Sequence, residues 1–310
     1  MAVRFSVLVP SYNREEHVRQ AIESVLTQTF SNYELFVIDD GSADGTPQLL
    51  ASYGTRIRAL RQSNQGPEVA RNKAAALAEG EYLVMLDSDD MLMPWALETY
   101  DRVIRAFDSP PLVIGSMEYF EEGHPLPAPD NPRKIDAWKC PDYLGKNVTV
   151  GLSNSRIVLR KSVFDEVGGV RNSTPATFHL DDFNLILKVG AYGPCAVVKT
   201  PTTVAYRRHG SNSICSLEAM VNGILGLVAS ERAGEYPGGR KRLVARYACI
   251  GGIAQLWVRK ALNLRQVRLT VKLAVRTAPM IAAAAVKGSL SRFHRSEAPL
   301  ISIDLRDLRT

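Results

Sequence analysis

Apolar positions in the N-terminal third of the chain follow two alternating periods. Phe5 to Pro10 is an apolar run interrupted only by Ser6, as expected of a strand buried on both faces. Glu15 to Gln28 then spaces Val18, Ala21, Ile22 and Val25 three and four residues apart, which aligns them along one side of a helix. Leu35 to Ile38 reads as a second strand, followed by loop residues Asp39-Asp40-Gly41-Ser42-Ala43-Asp44-Gly45 and a short helix through Leu49 and Leu50. Ile57 to Leu60 is a third strand, Glu68 to Ala78 a helix, and Tyr82 to Leu86 a further strand. Strands alternating with helices in this way predict an α/β fold: βαβ units in a mostly parallel, Rossmann-like sheet flanked by helices.

The pattern loosens after Pro94. A helix is expected through about Phe107 and a strand over Leu112 to Ile114. The stretch from Glu121 to Lys139 contains Pro125, Pro127, Pro129 and Pro132 and is expected to run irregularly over the surface. Ile157 to Leu159 reads as a strand, and a helix near Ser162 to Val167 is stopped by Gly168-Gly169. Another helix spans about Leu180 to Val189, and beyond Ile214 the pattern is helical to about residue 290.

Charge divides the chain unevenly. Residues 231–310 hold 16 Lys and Arg against 5 Asp and Glu, a net of +11, so the remainder of the +6 total leaves −5 on residues 1–230. The two regions are expected to do different work. Hydrophobic residues at 45% and charged residues at 23% argue against disorder. Cys140, Cys195, Cys215 and Cys249 are too widely spaced for a paired metal site and read as reduced thiols in a cytosolic protein. No signal peptide is expected, because strand-like Phe5 to Val9 begins almost at once. The longest nearly uncharged stretch, Thr277 to Val286, is well short of the roughly 20 residues that cross a bilayer, so no span is expected.

The strand Tyr82 to Leu86 ends in Asp87-Ser88-Asp89-Asp90. Carboxylates this close repel unless they share a cation. In continued strand geometry Asp87 and Asp89 point the same way and Ser88 the other, which suits a divalent metal holding a diphosphate. A solvated acidic turn capping the helix after Pro94 is the alternative reading. In open parallel sheets ligands bind at the carboxyl ends of strands, and Pro10-Ser11-Tyr12-Asn13, Asp39-Asp40 and Asp87-Ser88-Asp89 all fall there. No glycine-rich dinucleotide or phosphate loop follows the first strand.

Taken in order, Val9-Pro10-Ser11-Tyr12-Asn13, Ser24-Val25-Leu26-Thr27-Gln28-Thr29-Phe30, Val37-Ile38-Asp39-Asp40-Gly41-Ser42 and Asp87-Ser88-Asp89-Asp90 closely resemble the family 2 glycosyltransferases of the GT-A fold, over roughly residues 4 to 210. The resemblance implies a GT-A domain over 1–213, with a nucleotide-sugar half to about 110 and an acceptor half from 111, followed by a basic helical region over 214–310. It implies that Pro10 and Tyr12 bind the nucleotide sugar, Tyr12 by stacking on the base, and that Asp40 accepts a hydrogen bond from a uracil ring. Arg71 would lie near the base and phosphates. Asp87, with Ser88 beside it, would meet the ribose or a metal-bound water, and Asp89 would bind Mn²⁺ or Mg²⁺. His209 would complete the metal shell or touch the diphosphate. Asp181-Asp182 resembles the family's Glu-Asp motif, with Asp replacing the usual Glu at 181; its second acid, Asp182, would be the catalytic base. A helix N-terminus favouring negative charge is the other account of that pair. Ser153 and Asn154, with Asp181, would border the acceptor side. His17, His124, His179 and His294 have no comparable context and are assigned no role.

The activity so implied is inverting transfer of one sugar from a nucleotide sugar, a UDP-sugar above all, to a saccharide or lipid-linked acceptor, in the cytoplasm or at the inner face of the cell membrane. A processive synthase is disfavoured, since the Gln-x-x-Arg-Trp signature is missing; the closest string, Gln255-Leu256-Trp257-Val258-Arg259, has the wrong order. A catalytically silent nucleotide-sugar binding module, or a nucleotidyltransferase on the same sheet, is the alternative from another class. Between Arg240 and Arg295 basic residues interleave with apolar ones, which suits either an anionic membrane surface or a helical subdomain packed on the sheet. Nothing resembles a nucleic-acid reading motif.

Overall fold

Seven consecutive buried residues, Phe5–Ser11, form β1 at the heart of a nine-stranded sheet. The computed structural model describes residues 2–124, 134–145, 150–170, 180–210, 216–293 and 299–304, side chains of 288–293 excepted. Cys215, His179, His294, residues 211–213 after His209, residues 125–133 of the expected surface excursion, and residues 146–149 lie outside that set.

The other strands are β2 (Tyr33–Asp39), β3 (Arg58–Arg61), β4 (Tyr82–Met85), β5 (Met91–Leu92), β6 (Leu112–Ile114), β7 (Met117–Glu121), β8 (Lys134–Cys140), β9 (Ile157–Arg160), β10 (Cys195–Thr200), β11 (Val204–Arg208) and β12 (Leu300–Asp304). The helices are α1 (Glu15–Leu26), α2 (Thr46–Ser52), α3 (Pro67–Leu77), α4 (Ala96–Ala106), α5 (Lys161–Glu166), α6 (Asp181–Val189), α7 (Leu217–Arg232), α8 (Gly239–Asn263) and α9 (Val267–Phe293).

The main sheet runs β12-β8-β10-β6-β9-β4-β1-β2-β3. Its half from β3 to β4 is parallel, as the alternating pattern predicts: β3, β2, β1 and β4 all point one way. Beyond β4 it is mixed. Strand β9 pairs antiparallel with both β4 and β6, and β8 with both β10 and β12, while β6 and β10 are parallel. A smaller sheet, β5-β11-β7, lies after the acidic run.

Alternation along the strands feeds two apolar layers. Phe5, Val7, Val9, Tyr82 and Val84 pack with Val18 and Ile22 of α1 and with Leu97, Tyr100 and Ile104 of α4. Leu8, Leu83 and Met85 face the other layer, shared with Ala70 and Ala74 of α3 and Leu185 and Ile186 of α6. That second layer also takes in Val221 and Ile224 of α7, Ile250 and Trp257 of α8, and Leu273 and Met280 of α9. The C-terminal helices are thus built onto the same core as the sheet.

Two departures stand out. Residues 134–140, expected within an irregular excursion, form β8, in which Ile135, Ala137 and Cys140 are buried; the prolines just upstream mask a short alternation. Helix α9 contains Val267–Lys287, 21 residues that include an 18-residue window of mean hydropathy 1.4, which by length and composition alone can cross a bilayer, contrary to the expectation. The charges at Arg268, Lys272 and Arg276 had hidden the length of the stretch. Here it lies along α8, close enough that a Cβ on Gly251 would sit 1.9 Å from the Met280 carbonyl oxygen. Helix α8 is tied to α7 by a two-pronged buried ion pair, Arg246 Nε and Nη2 to the Glu231 carboxylate at 2.6 and 2.9 Å.

Candidate active site

The loops after β1 and β2 are stitched together before any ligand is considered. Asn13, at φ 50°, donates its backbone N–H to Ser42 Oγ (2.9 Å) and accepts from the Ala43 N–H through Oδ1 (2.8 Å). Gly41 takes φ 84°, and a Cβ there would press on the Asn64 backbone at 2.9 Å, so the turn requires glycine. Tyr12 stands out from this scaffold, 46% exposed, with its ring presented to solvent. Pro10 is buried inside β1.

Asp40 is also buried, and its position differs from a free base-reading acid. Its Oδ1 accepts from Gln62 Nε2 (2.8 Å) and the Gln65 N–H (2.9 Å), and its Oδ2 from the Gly66 N–H (2.8 Å). A carboxylate has about four acceptor positions, so one remains for a ligand. The chief work of Asp40 here is to close the 62–66 loop at the start of α3. Gly66 at φ 94° and Pro67 then launch that helix.

Arg71 on α3 is fully buried and bridges two loops. Its Nη1 donates to Asp181 Oδ2 at 2.6 Å and its Nη2 to Asp87 Oδ1. A guanidinium suits this because its rigid fork can serve two carboxylates at once. Asn154 Nδ2 also donates to Asp181 Oδ2 (3.0 Å), which brings these two side chains together, whereas Ser153 is joined through its backbone carbonyl to the Arg156 N–H.

The acidic run converges by a different route from the expected strand alternation. Strand β4 ends at Met85, and residues 87–90 form a turn closed by the Asp90 N–H on the Asp87 carbonyl (3.1 Å). Ligand oxygens of Asp87, Asp89 and Asp90 then lie within 4.8 Å of one another. Ser155 holds the turn, accepting from the Asp87 N–H (3.0 Å) and donating to Asp90 Oδ2 (2.6 Å). Arg207 completes the frame, its N–H on Asp90 Oδ1 (3.0 Å) and its Nε on the Asp89 carbonyl (2.9 Å). Ser88 is buried within the turn.

Strand β11, paired with β5 and β7, carries His209 to this cluster. His209 Nε2 lies 2.9 Å from Asp89 Oδ2, and the ring stacks on His17 at 5.4 Å. The same Asp89 oxygen takes a hydrogen bond from Arg14 Nη1. Sequence reasoning passed over Arg14, His17, Asp90, Ser155 and Arg207. Asp90 sits inside a motif already singled out; Arg14, His17, Ser155 and Arg207 are legible only once the loops meet.

Electrostatics sort the carboxylates. Burial pushes Asp87 up to about 6, with Arg71 opposing it. Burial and the neighbouring Asp89 and Asp87 charges raise Asp90 well above the usual range. Asp89 is the exception: burial works to raise it, but Arg14 and His209 together hold it below the ordinary value. Asp182, in the first turn of α6, is pushed up to about 8, first by burial and then by the charge of Asp181. A carboxylate so raised is basic near neutral pH.

The donor set fits a hard divalent cation. The oxygens are carboxylate, clustered and largely withdrawn from solvent, Asp87 being half-buried, and Asp89 Oδ2 already draws two nitrogen donors, so the turn is organised around neutralising that atom.

A parallel-to-mixed sheet of this order, with an acidic turn at one strand end and a carboxylate pair at a facing helix N-terminus, defines the GT-A class of nucleotide-sugar folds. The chain belongs to glycosyl transferase family 2, whose model matches residues 6–168. It is 32% identical over 126 residues to the glycosyltransferase GlyG of Streptococcus pneumoniae, a match covering 39% of this chain and 42% of that one. It is 30% identical over 191 residues to an uncharacterised glycosyltransferase of Haemophilus influenzae, covering 59% and 61%. The match thus spans less than half of the first relative's length. Among solved structures, S. aureus TarS residues 1–349 in complex with UDP-GlcNAc superposes with a TM-score of 0.58 at 17% identity, covering 97% of each chain. The mannosyltransferase PcManGT of Pyrobaculum calidifontis, in complex with GDP-Man and Mn²⁺, gives 0.51 at 15% identity, covering 92% and 87%. These likenesses establish the shared fold.

Proposed function

We propose that the protein is an inverting, metal-dependent glycosyltransferase that moves one sugar from a nucleotide-sugar donor, a UDP-sugar, to a hydroxyl of a saccharide or lipid-linked acceptor. The observation that carries this reading is the Arg71 bridge, which joins the acidic turn after β4 to the start of α6 and so sets Asp182 beside the Asp87–Asp89 cluster. Tyr12, at the exposed lip of the first loop, stacks on the base, and the remaining acceptor position of Asp40 reads its edge. Asp89, with His209, would hold Mn²⁺ or Mg²⁺. Such an ion supplies Lewis acidity that stabilises the departing diphosphate.

The protein's own part in the chemistry is a proton transfer. Asp182 takes the proton from the acceptor hydroxyl as that oxygen bonds to the anomeric carbon, while the bond from that carbon to the diphosphate oxygen breaks. Attack opposite the leaving group inverts the centre, as water does in inverting hydrolysis. Ser153 and Asn154 border the side from which the acceptor enters. Incubation with a panel of nucleotide sugars and Mn²⁺ tests the reading: release of nucleoside diphosphate supports it, whereas release of pyrophosphate, or of nothing across the panel, overturns it.

A further inference from the structure

We infer that the tip of the α8–α9 hairpin and the outer face of α9 form a docking surface for an anionic lipid bilayer. The inference deepens the proposed reading, since it supplies the partner from which a lipid-linked acceptor would come.

The hairpin divides its apolar residues into two sets. Ile250, Trp257, Leu273 and Met280 point into the core shared with the sheet. Leu256, Leu262, Leu264, Val267, Val271 and Val275 point out, each 54–69% exposed. Along α9 the exposed apolar positions recur as Val267, Val271, Val275, Ala278 and Ala282, at intervals of four, four, three and four, which makes one continuous stripe. Exposed Arg268, Lys272 and Arg276 form a second row directly beside it. Arg259, Lys260 and Arg265 crowd the tip, Lys260 lying over the Trp257 ring at 4.2 Å.

An apolar stripe flanked by cations matches the chemistry of a bilayer interface with anionic headgroups: acyl chains receive the valines and leucines, and phosphates the basic row. The charge of the region, +11 over residues 231–310, favours that partner over a second copy meeting it hairpin to hairpin, where two basic faces would repel. Crossing the bilayer is a poorer fit for α9 despite its length. Arg268, Lys272 and Arg276 would enter the hydrocarbon with it, and the chain beyond α9 returns to the main sheet as β12, paired residue for residue with β8. Lys272 Nζ lies 3.2 Å from Asn222 Oδ1 on α7, the helix that follows the His209 loop, so the hairpin tip lies toward the start of that helix.

Vesicle co-sedimentation tests the surface, using phosphatidylcholine alone and phosphatidylcholine with about one third phosphatidylglycerol. The wild-type chain is expected to pellet with the anionic vesicles, less so as salt rises. The variant Arg259→Gln, Lys260→Gln, Arg265→Gln, Arg268→Gln should bind roughly 100-fold more weakly or worse, on the scale expected for losing four cations at a charged surface. Leu262→Ser, Leu264→Ser, Val267→Ser should also lose binding, with unchanged circular dichroism because these side chains are outside the core. Wild type remaining in the supernatant at low salt overturns the inference, as does a concentration-dependent dimer that the serine variant abolishes. UDP titration separates the two readings. A chain that binds UDP but not vesicles removes the docking surface alone; one that binds vesicles but not UDP removes the UDP-sugar reading alone.

Discussion

The crevice and the helical hairpin treat charge in opposite ways. In the crevice, Asp40, Asp87, Asp89, Asp90 and Asp181 each accept hydrogen bonds from a named neighbour, and three of those neighbours are arginines contributed by other elements. On the hairpin, Arg259, Arg265, Arg268 and Arg276 stand in solvent next to exposed leucines and valines. Buried charge must be paired where it stands, because an unpaired ion in a low-dielectric setting is costly; exposed charge need not be. The first region therefore depends on individual side chains, and the second on the sum of many.

That contrast breaks most visibly at Asp89. Asp89→Ala should abolish turnover and metal-dependent UDP binding, and EDTA should reproduce the loss in wild type; isothermal titration in Mn²⁺ with and without chelator is the check. Next comes Arg71. Arg71→Met leaves Asp87 and Asp181 buried without their shared cation, a change that typically costs about 3–5 kcal/mol, readable as a lowered denaturant midpoint. Asp182→Asn should cut turnover by roughly 10² or more while leaving UDP binding intact; a loss of UDP binding would assign the residue to the donor instead.

The same residue carries a pH signature. Its folded-state value of about 8 lies above that of an unfolded aspartate, so the folded protein holds the proton more tightly and loses stability as pH rises from about 4 through 8. Activity runs the other way, since the base must be ionised. In a pH profile, kcat/KM should climb through pH 6–8, whereas Asp182→Asn should flatten that limb and raise the melting temperature at pH 8. The smallest effect sharpens the contrast from the other side: Arg265→Gln with Arg268→Gln should leave the unfolding free energy within about 0.5 kcal/mol of wild type, as surface changes usually do.

Periodicity made the parallel half legible, because each of its strands is a short apolar run next to a helix of regular spacing. Strands β5, β7, β8, β10, β11 and β12 were not legible. Their alternation is brief, they pair with partners far away in sequence, and β8 follows a run of prolines. Candidate residues were found where chemistry is concentrated in sequence, as at 87–90 and 181–182. They were missed where it is assembled in space: Ser155 and Arg207 acquire meaning only when the single 3₁₀ turn Asn154–Arg156 and strand β11 close over the acidic run. Arg71 was singled out as a residue near the base and phosphates; that its buried fork joins the two acidic motifs to each other was not legible, because the partners lie 16 and 110 positions away.

Strand β8 is held between β10, some 60 residues later, and β12, whose partner residues lie more than 160 positions away. Contacts of such long range form late, because the loop between them must close first. During synthesis β8 therefore waits as an open edge, able to pair with other chains, until residues 300–304 emerge and cover it. A chain shortened before Leu300 keeps every side chain named in the crevice and is nevertheless left with that edge uncapped, so its failing is aggregation rather than lost chemistry.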